Sequence, residues 1–230
     1  RWVAVSAATV TLSDNPSISA FNAIAAKTTG LVTVTADSIV VDDVVTAAEA
    51  AAILDSTNAS IVKFSGGITD TFTNLVAADR GAVSANMAKI DAKDPNVNVT
   101  VSGTQANVTS ANVTDLNALL AATTGTVTAT IDGNVAQLSS VTSNASSAAT
   151  NALTIVVDDV ATAAQGAAIA DSTSIATVDF SAAGVSDTFA NIVAAGTGAV
   201  SANMAKIDAK DANVNVTVSG TQANVTSANV

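Results

Sequence analysis

The chain has 230 residues, and 49% of them are hydrophobic but only 3% aromatic, so its core must be built mainly from alanine, valine, isoleucine and leucine. A net charge of −11 argues against a nucleic-acid partner, because phosphates attract basic surfaces. The absence of cysteine and histidine excludes disulfides, ordinary zinc or iron sites, and Ser-His or Cys-His catalytic relays.

The predicted elements alternate strand and helix along the chain. Residues 9–12 alternate apolar and polar side chains, a strand pattern, and the helical stripe Ile18, Phe21 and Ile24 follows them and ends at Gly30. The same alternation predicts strands at 32–36, 61–64, 97–101, 127–131, 153–157, 176–180 and 214–218.

Between the strands at 61–64 and 97–101, the spacing of apolar residues predicts two helical stretches. One stripe covers residues 72–76, the other covers residues 83–90, and Gly81 separates them as a helix stop. Phe72 and Phe189 are expected to be buried. Val99, Val127 and Val216 are expected to point from the sheet toward the helices.

A long internal repeat organises the chain. Residues 81–113 recur as residues 198–230, with Ala212 in place of Pro95. The offset is 116 for Asp42 and Asp158 and 117 in the later part. We therefore divide one continuous fragment, 1–230, into leading units (1–39), a first super-repeat copy (40–113), connecting strand-helix units (114–155) and a truncated second copy (156–230).

The expected fold class is α/β, as a right-handed parallel β-α solenoid built from tandem strand-helix repeats with a ~117-residue super-repeat. A helix between each pair of strands requires parallel pairing, because the crossover returns the chain to the same edge of the sheet. A closed (β/α)8 barrel or a doubly wound sheet is the alternative. The solenoid is favoured because the strands are apolar on one face only.

Three units resemble the strand-helix repeats of giant, cysteine-poor surface and adhesin-like proteins of marine bacteria, cyanobacteria in particular: TVTLSDNPSISAFNAIAAKTTG, TVTATIDGNVAQLSSVTSN and ALTIVVDDVATAAQGAAIADS. The resemblance covers nearly the whole chain. It implies export and a structural or adhesive role, and it supplies no catalytic residues.

Two pairs of aspartates end predicted strands and are the candidate metal ligands: Asp42, Asp43, Asp158 and Asp159. Their oxygens could bind calcium, with Asp14 and Asp132 at comparable corners, but the glycine-spaced loop typical of calcium sites is missing. The pattern favours capping of helix N-termini instead, and no other cofactor is expected.

Threonines on the polar side of the strands are the candidate binding residues: Thr33, Thr35, Thr126, Thr128 and Thr130. Regular threonine rows on a flat face would suit ice or polysaccharide. Threonine is also a favourable strand residue on a wet face, and Lys63 and Asp179 interrupt the ranks.

No enzyme is expected. Lys89 and Lys93 lie four residues apart on a predicted helix, with Asp91 on another side, and ion pairs with neighbouring acids explain them. The expected function is a structural repeat segment of an exported cell-surface, adhesin-like or extracellular filament-forming protein. The alternative is a flat-face binding module for ice or polysaccharide.

The expected location is extracellular, at the cell surface or secreted. No run of about 18 apolar residues that could span a membrane is present. The second copy stops where the first continues into an apolar, helix-like segment, so we expect a piece of a longer repeat protein. The expected partner is further material of the same kind, by self-association or by continuation of a longer chain end to end.

Overall fold

The structure is a computed structural model, and it describes residues 10–12, 23–24, 27, 32–34, 38–57, 59–105, 110–145, 152–171, 175–180, 183–194 and 196–220. Helices in this part of the chain are α1 Ala47–Asp55, α2 Phe72–Leu75, α3 Ala85–Asp91, α4 Ser110–Ala122, α5 Val135–Ala145, α6 Ala163–Ala170, α7 Phe189–Ile192 and α8 Ala202–Asp208.

The strands alternate with these helices in chain order. They are β1 Val10–Leu12, β2 Val32–Val34, β3 Ser38–Val41, β4 Ile61–Phe64, β5 Ile68–Thr71, β6 Val76–Ala77, β7 Ala82–Val83, β8 Val99–Gln105, β9 Val127–Gly133, β10 Ala152–Val157, β11 Ile175–Asp179, β12 Val185–Thr188, β13 Val193–Ala194, β14 Ala199–Val200 and β15 Val216–Ser219.

The chain is an α/β protein with a five-stranded parallel sheet in the order β11-β10-β9-β8-β5. Parallel pairs β1–β2, β3–β4 and β12–β15 accompany it. Single parallel bridges, Val45 to Ile68 and Ala161 to Val185, connect the segments that follow β3 and β10 to β5 and β12. Parallel pairing therefore follows chain order from β3 to β15, and every predicted strand position holds a parallel strand. These strands do not all lie in one sheet, because β1, β2, β4 and β15 lie outside the five-stranded sheet.

The core lies on one face of the strands, as the alternation predicted. Along β9, Val127, Ala129 and Ile131 are buried, while Thr128 between them is exposed. The helices pack on their neighbours: α1 on α3, α4 on α5, α5 on α6, and α6 on α8. The small side chains thus fill a thin layer between strands and helices.

Threonine hydroxyl groups fix the starts of α1 and α6. Thr46 and Glu49 form a capping box at α1, and Thr162 and Gln165 form the same box at α6. Because these side chains satisfy N–H groups at the helix ends, they define where each helix begins. The N-caps of α1 and α6 are therefore threonines, and not the aspartate pairs three or four residues earlier, although Asp159 contacts the N-terminus of another helix, α5.

Three expectations about individual segments need correction. Val76 and Val83 are not helical, because α2 ends after one turn and β6 and β7 form a short antiparallel hairpin, which β13 and β14 repeat in the second copy. Phe72 is buried as predicted, whereas Phe189 is only partly buried. Val99 and Val127 are buried, but Val216 is 43% exposed.

Candidate functional site

Two rows of threonine cross the polar side of the five-stranded sheet. In the first row, Thr69, Thr100 and Thr128 are paired in register on β5, β8 and β9. The second row runs over four strands and consists of Thr104, Thr130, Thr154 and Thr177. Neighbouring strands lie about 4.8 Å apart, so the hydroxyls in a row are close neighbours. We call these seven residues the threonine face.

The threonine face is limited in extent. On β8 the two rows are four residues apart, whereas on β9 they are two apart, because the register shifts between Thr100 and Thr104. On β10 the first row meets Ala152 instead of threonine. Within the second row, the Thr177 hydroxyl donates to the Thr154 hydroxyl at 3.3 Å. The face is therefore a small patch that the bulge in β8 interrupts.

The threonines singled out by sequence are partly brought together. Thr128 and Thr130 belong to the threonine face. Thr126 precedes β9, and its backbone N–H donates to the side-chain oxygen of Asn98 at 2.9 Å. Thr33 lies on β2, which pairs with β1 in a separate two-stranded sheet. Thr35 lies outside the described residues.

The aspartate pairs at the ends of β3 and β10 engage different partners. Asp42 Oδ1 accepts from the Ser65 hydroxyl at 2.6 Å, and Asp43 beside it is exposed. Asp159 Oδ1 accepts from the Val135 N–H at 2.7 Å, at the start of α5. Asp159 thus stabilises the N-terminus of a helix in the preceding unit, where partial positive charge favours a carboxylate.

Asp158 differs from the other three because it lies against a second carboxyl group. A hydrogen bond with Asp132, followed by burial and by the charge of Asp132, raises the pKa of Asp158. Asp132 Oδ1 is buried and has no hydrogen-bond partner. A proton on Asp158 removes the repulsion between its carboxylate and that of Asp132, which is why the pKa of Asp158 is raised.

Asp158→Asn is expected to become more stable relative to the unchanged chain as pH rises. Because its folded pKa is raised, Asp158 contributes stability fully below its ordinary value of 3.8, and that contribution is lost as pH rises through the folded pKa. An asparagine amide still donates to Asp132 and does not ionise. The gain stays below about 1 kcal/mol, because Asp158 is exposed.

Urea melts from about pH 3 to pH 7 measure this difference. Asp42→Asn, at the corresponding position of the first copy, controls for removing a carboxylate from this corner of the unit. A difference between Asp158→Asn and the unchanged chain that does not vary with pH would show that folding does not raise the pKa of Asp158.

A second group of carboxylates was missed by sequence reasoning. Besides Asp159, five aspartates accept hydrogen bonds from backbone N–H groups of an earlier unit, and we call these five the bridging aspartates: Asp70, Asp94, Asp115, Asp187 and Asp211. Of these, Asp70, Asp94 and Asp115 are buried. A buried carboxylate is favourable only when it is well hydrogen-bonded, so these residues hold neighbouring units together.

The bridges repeat between the two copies. Asp94 Oδ2 accepts from the Phe64 N–H at 2.8 Å, and Asp211 Oδ2 accepts from the Phe180 N–H at the same distance. Likewise, Asp70 Oδ2 accepts from the Ala47 N–H at 3.0 Å, where α1 begins. Asp187 is the counterpart of Asp70 in the second copy, and its Oδ2 accepts from the Ala163 N–H at 3.0 Å, where α6 begins. Each copy is thus joined internally in the same way.

Asp115 makes the most extensive bridge. Its Oδ2 accepts from the Asp79 N–H at 2.8 Å, and its Oδ1 accepts from the N–H groups of Arg80 and Gly81 at 3.2 and 2.7 Å. Asp79 and Gly81 both have positive φ angles, 59° and 60°, which turn successive N–H groups toward one point. The hairpin loop of the first copy is therefore fixed to α4.

Surface ion pairs follow the same repeat. Lys89 on α3 contacts Asp55 at the end of α1 at 2.8 Å, and Lys206 on α8 contacts Asp171 after α6 at 2.9 Å. All four side chains are about half exposed or more, so each pair contributes at most about 1 kcal/mol. The first pair agrees with the predicted role of Lys89 as a partner of a nearby acid.

Within the described residues, no three histidine, cysteine, aspartate or glutamate side chains are grouped so that they could hold a metal ion. None of the helices described has the length and apolar character needed to cross a membrane. Comparisons of the chain with protein-family models, with curated proteins and with solved structures find no match.

Proposed function

We propose that the chain is a structural repeat segment of an exported cell-surface, adhesin-like or extracellular filament-forming protein, folded as a right-handed parallel β-α solenoid. The observation that carries this proposal is the set of bridging aspartates. Each joins the backbone of one unit to a carboxylate of a later one, and both copies repeat the same bonds. Such repetition is typical of proteins in which each unit is stabilised by its neighbours.

The order of the strands supports the solenoid. Parallel pairing proceeds in chain order from β3 to β15. A doubly wound sheet reverses its strand order at a switch point, and a barrel pairs its first strand with its last. Neither arrangement occurs among the described strands, and right-handed crossovers are the rule for parallel units.

The threonine face is a weaker basis for function than the bridging aspartates. A lattice-like ligand such as ice or a crystalline polysaccharide needs regular spacing in two directions. The register shift on β8 and Ala152 on β10 break that regularity. Four of the five bridging aspartates, in contrast, form two equivalent pairs in the two copies, so contact between units explains more of the sequence.

Immunogold labelling of the cells that produce the protein tests the proposal. Antibodies raised against the 230-residue chain should label the outer surface of intact cells or extracellular material. The control is an antibody against a cytoplasmic protein, which should label only sectioned or permeabilised cells. Labelling by the chain antibody that requires permeabilisation and lies in the cytoplasm would remove the proposed role.

A further inference from the structure

The only difference between the repeated segments 81–113 and 198–230 lies directly after a bridging aspartate. The first copy has an Asp94–Pro95 peptide bond where the second has Asp211–Ala212. The bond before a proline is a tertiary amide. Its nitrogen takes up a proton more readily than an ordinary peptide nitrogen does when the bond breaks. An aspartate carboxylate and its own carbonyl carbon close a five-membered ring, so the bond in the first copy is the one that is chemically suited to internal cleavage.

The two aspartates lie in the same turn. The Asp94 carbonyl accepts from the Val97 N–H at 3.2 Å, and the Asp211 carbonyl accepts from the Val214 N–H at 3.3 Å. In each copy the aspartate Oδ2 accepts from a phenylalanine N–H of an earlier unit at 2.8 Å. The turn therefore forms with proline or with alanine at its second position, and its shape does not require Pro95.

The second carboxylate oxygen distinguishes the copies. Asp211 Oδ1 accepts from the Asn213 N–H at 3.1 Å. Asp94 binds the Phe64 N–H through Oδ2, and among the described residues no bond like that of Asn213 reaches its Oδ1. Asp94 is also only 8% exposed, so bulk water competes little for this oxygen. Asp94 Oδ1 is therefore the oxygen that can attack the neighbouring carbonyl carbon.

The surroundings of the Asp94 carbonyl suit this attack. The Val97 N–H donates to the oxygen on which negative charge develops, and a donor held in place stabilises such charge. Beyond the bond, the Pro95 carbonyl accepts from the Thr124 N–H at 2.8 Å and from the Thr123 hydroxyl at 3.1 Å. Because the groups are positioned before the reaction, the entropic cost of bringing them together is reduced.

We propose that the Asp94–Pro95 bond is a self-cleavage site of the folded chain in mild acid. Asp94 Oδ1 attacks the Asp94 carbonyl carbon, and a cyclic anhydride forms at Asp94. The C–N bond breaks, its electron pair stays on the Pro95 nitrogen, and that nitrogen takes a proton from solvent. Water then opens the anhydride, so the net reaction is hydrolysis of one peptide bond. The inference does not depend on the proposed structural role.

Few ionisable groups adjoin this site. The segments 95–101 and 123–126 carry none. The ionisable side chains of β4, of α4 and of α3 with the residues up to the bond are Lys63, Asp115, Lys89, Asp91 and Lys93. Lys89 is paired with Asp55, Asp115 binds the hairpin loop, and Lys63 and Lys93 are exposed. Solvent is therefore the source of the proton that the Pro95 nitrogen takes up.

A cleaved chain stays assembled. β5 lies before the bond and β8 lies after it, and the two strands pair in parallel. Asp115 on α4 also holds the hairpin loop from before the bond. The fragments therefore remain together in native solution, and cleavage has to be measured after denaturation.

Intact mass spectrometry of the denatured full chain measures the reaction. The chain is incubated at about pH 5, above the ordinary pKa of aspartate, so that carboxylates stay ionised, and circular dichroism checks that it remains folded. Fragments 1–94 and 95–230 should accumulate at least about tenfold faster than in chain unfolded by urea at the same pH. They should also exceed fragments from the Asp211–Ala212 bond by at least about tenfold.

Pro95→Ala is the matched control, because Ala212 occupies the same turn in the second copy. It should leave the chain folded and lower cleavage at this bond at least about tenfold. Asp94→Asn keeps an oxygen for the Phe64 N–H but removes the attacking carboxylate, so cleavage should be lost. Absence of fragments, equal rates in folded and unfolded chain, or cleavage that persists in Pro95→Ala would each overturn the inference. A rate that rises with protein concentration would assign the cut to a contaminating protease and overturn it as well.

Discussion

Asp115→Ala is expected to lower the free energy of unfolding by roughly 3 to 5 kcal/mol. Asp115 is 1% exposed, and its carboxylate accepts from the N–H groups of Asp79, Arg80 and Gly81. Alanine leaves those three donors without their acceptor. The same carboxylate holds Asp79 and Gly81 at positive φ, so the hairpin loop loses the hydrogen bonds that fix its conformation.

Urea melts of the variant measure the loss, and two further variants interpret it. Asp115→Asn keeps one acceptor oxygen, so its loss should be intermediate. Asp171→Ala removes an exposed carboxylate whose partner is Lys206, and it should cost at most about 1 kcal/mol. Equal losses for Asp115→Ala and Asp171→Ala would show that the bridge to the hairpin does not stabilise the fold.

The strands were predictable because the alternation of apolar and polar residues that marks a strand is complete within a few consecutive residues. The alternation of valine and threonine along residues 127–131 requires only that one face is buried, and β9 has that burial pattern. The hairpin at 76–83 was not predictable in the same way. Val76 and Val83 fit a helical stripe, but the chain leaves the helix after Leu75, and Asp79 adopts a left-handed conformation that the stripe does not reveal.

The bridging aspartates could not be found from spacing alone. Asp70 reaches back 23 residues to its partner N–H, Asp94 reaches back 30, and Asp115 reaches back 34 to 36. No fixed interval connects donor and acceptor, because loops of different length separate the units. The available signal was the return of Asp70 as Asp187 and of Asp94 as Asp211, whereas the aspartate pairs at strand ends drew attention by their adjacency.

Exposure of Val216 shows the limit of arguing from one copy to the other. Val99 and Val216 have identical neighbours in sequence, and the same strand pattern predicted that both would be buried. Burial of Val99 depends on β9, a strand that begins 28 residues later, and not on its own surroundings. In a repeat protein, burial is therefore a property of pairs of units, which the sequence of one unit does not contain.

Gly125→Ala is expected to cost more than about 3 kcal/mol, beyond the usual range for one extra methyl group in a packed site. A Cβ atom at this position would lie 2.3 Å from the Val97 carbonyl oxygen and 2.5 Å from the Asn96 carbonyl oxygen. Both atoms belong to the backbone, which cannot turn aside as a side chain can. Relief requires β9 to move away from β8, which breaks the hydrogen bond from the Val99 N–H to the Thr126 carbonyl.

Gly166→Ala is the matched control, because both glycines are buried. The nearest atom to a Cβ at Gly166 is Ile207 Cδ1 at 2.8 Å, the end of a flexible side chain. Alanine also gains up to about 1 kcal/mol of helix propensity in α6, so the net change should stay within about 1 kcal/mol. Urea melts compare the two variants, and amide exchange at Val99 reports whether β9 has separated. If Gly125→Ala were as mild as Gly166→Ala and the Val99 amide stayed protected, the close approach of the two units would not be a requirement of the fold. The expected result is a large loss at Gly125 together with fast exchange at Val99, because the glycine is what allows one unit to lie directly on the backbone of the unit before it.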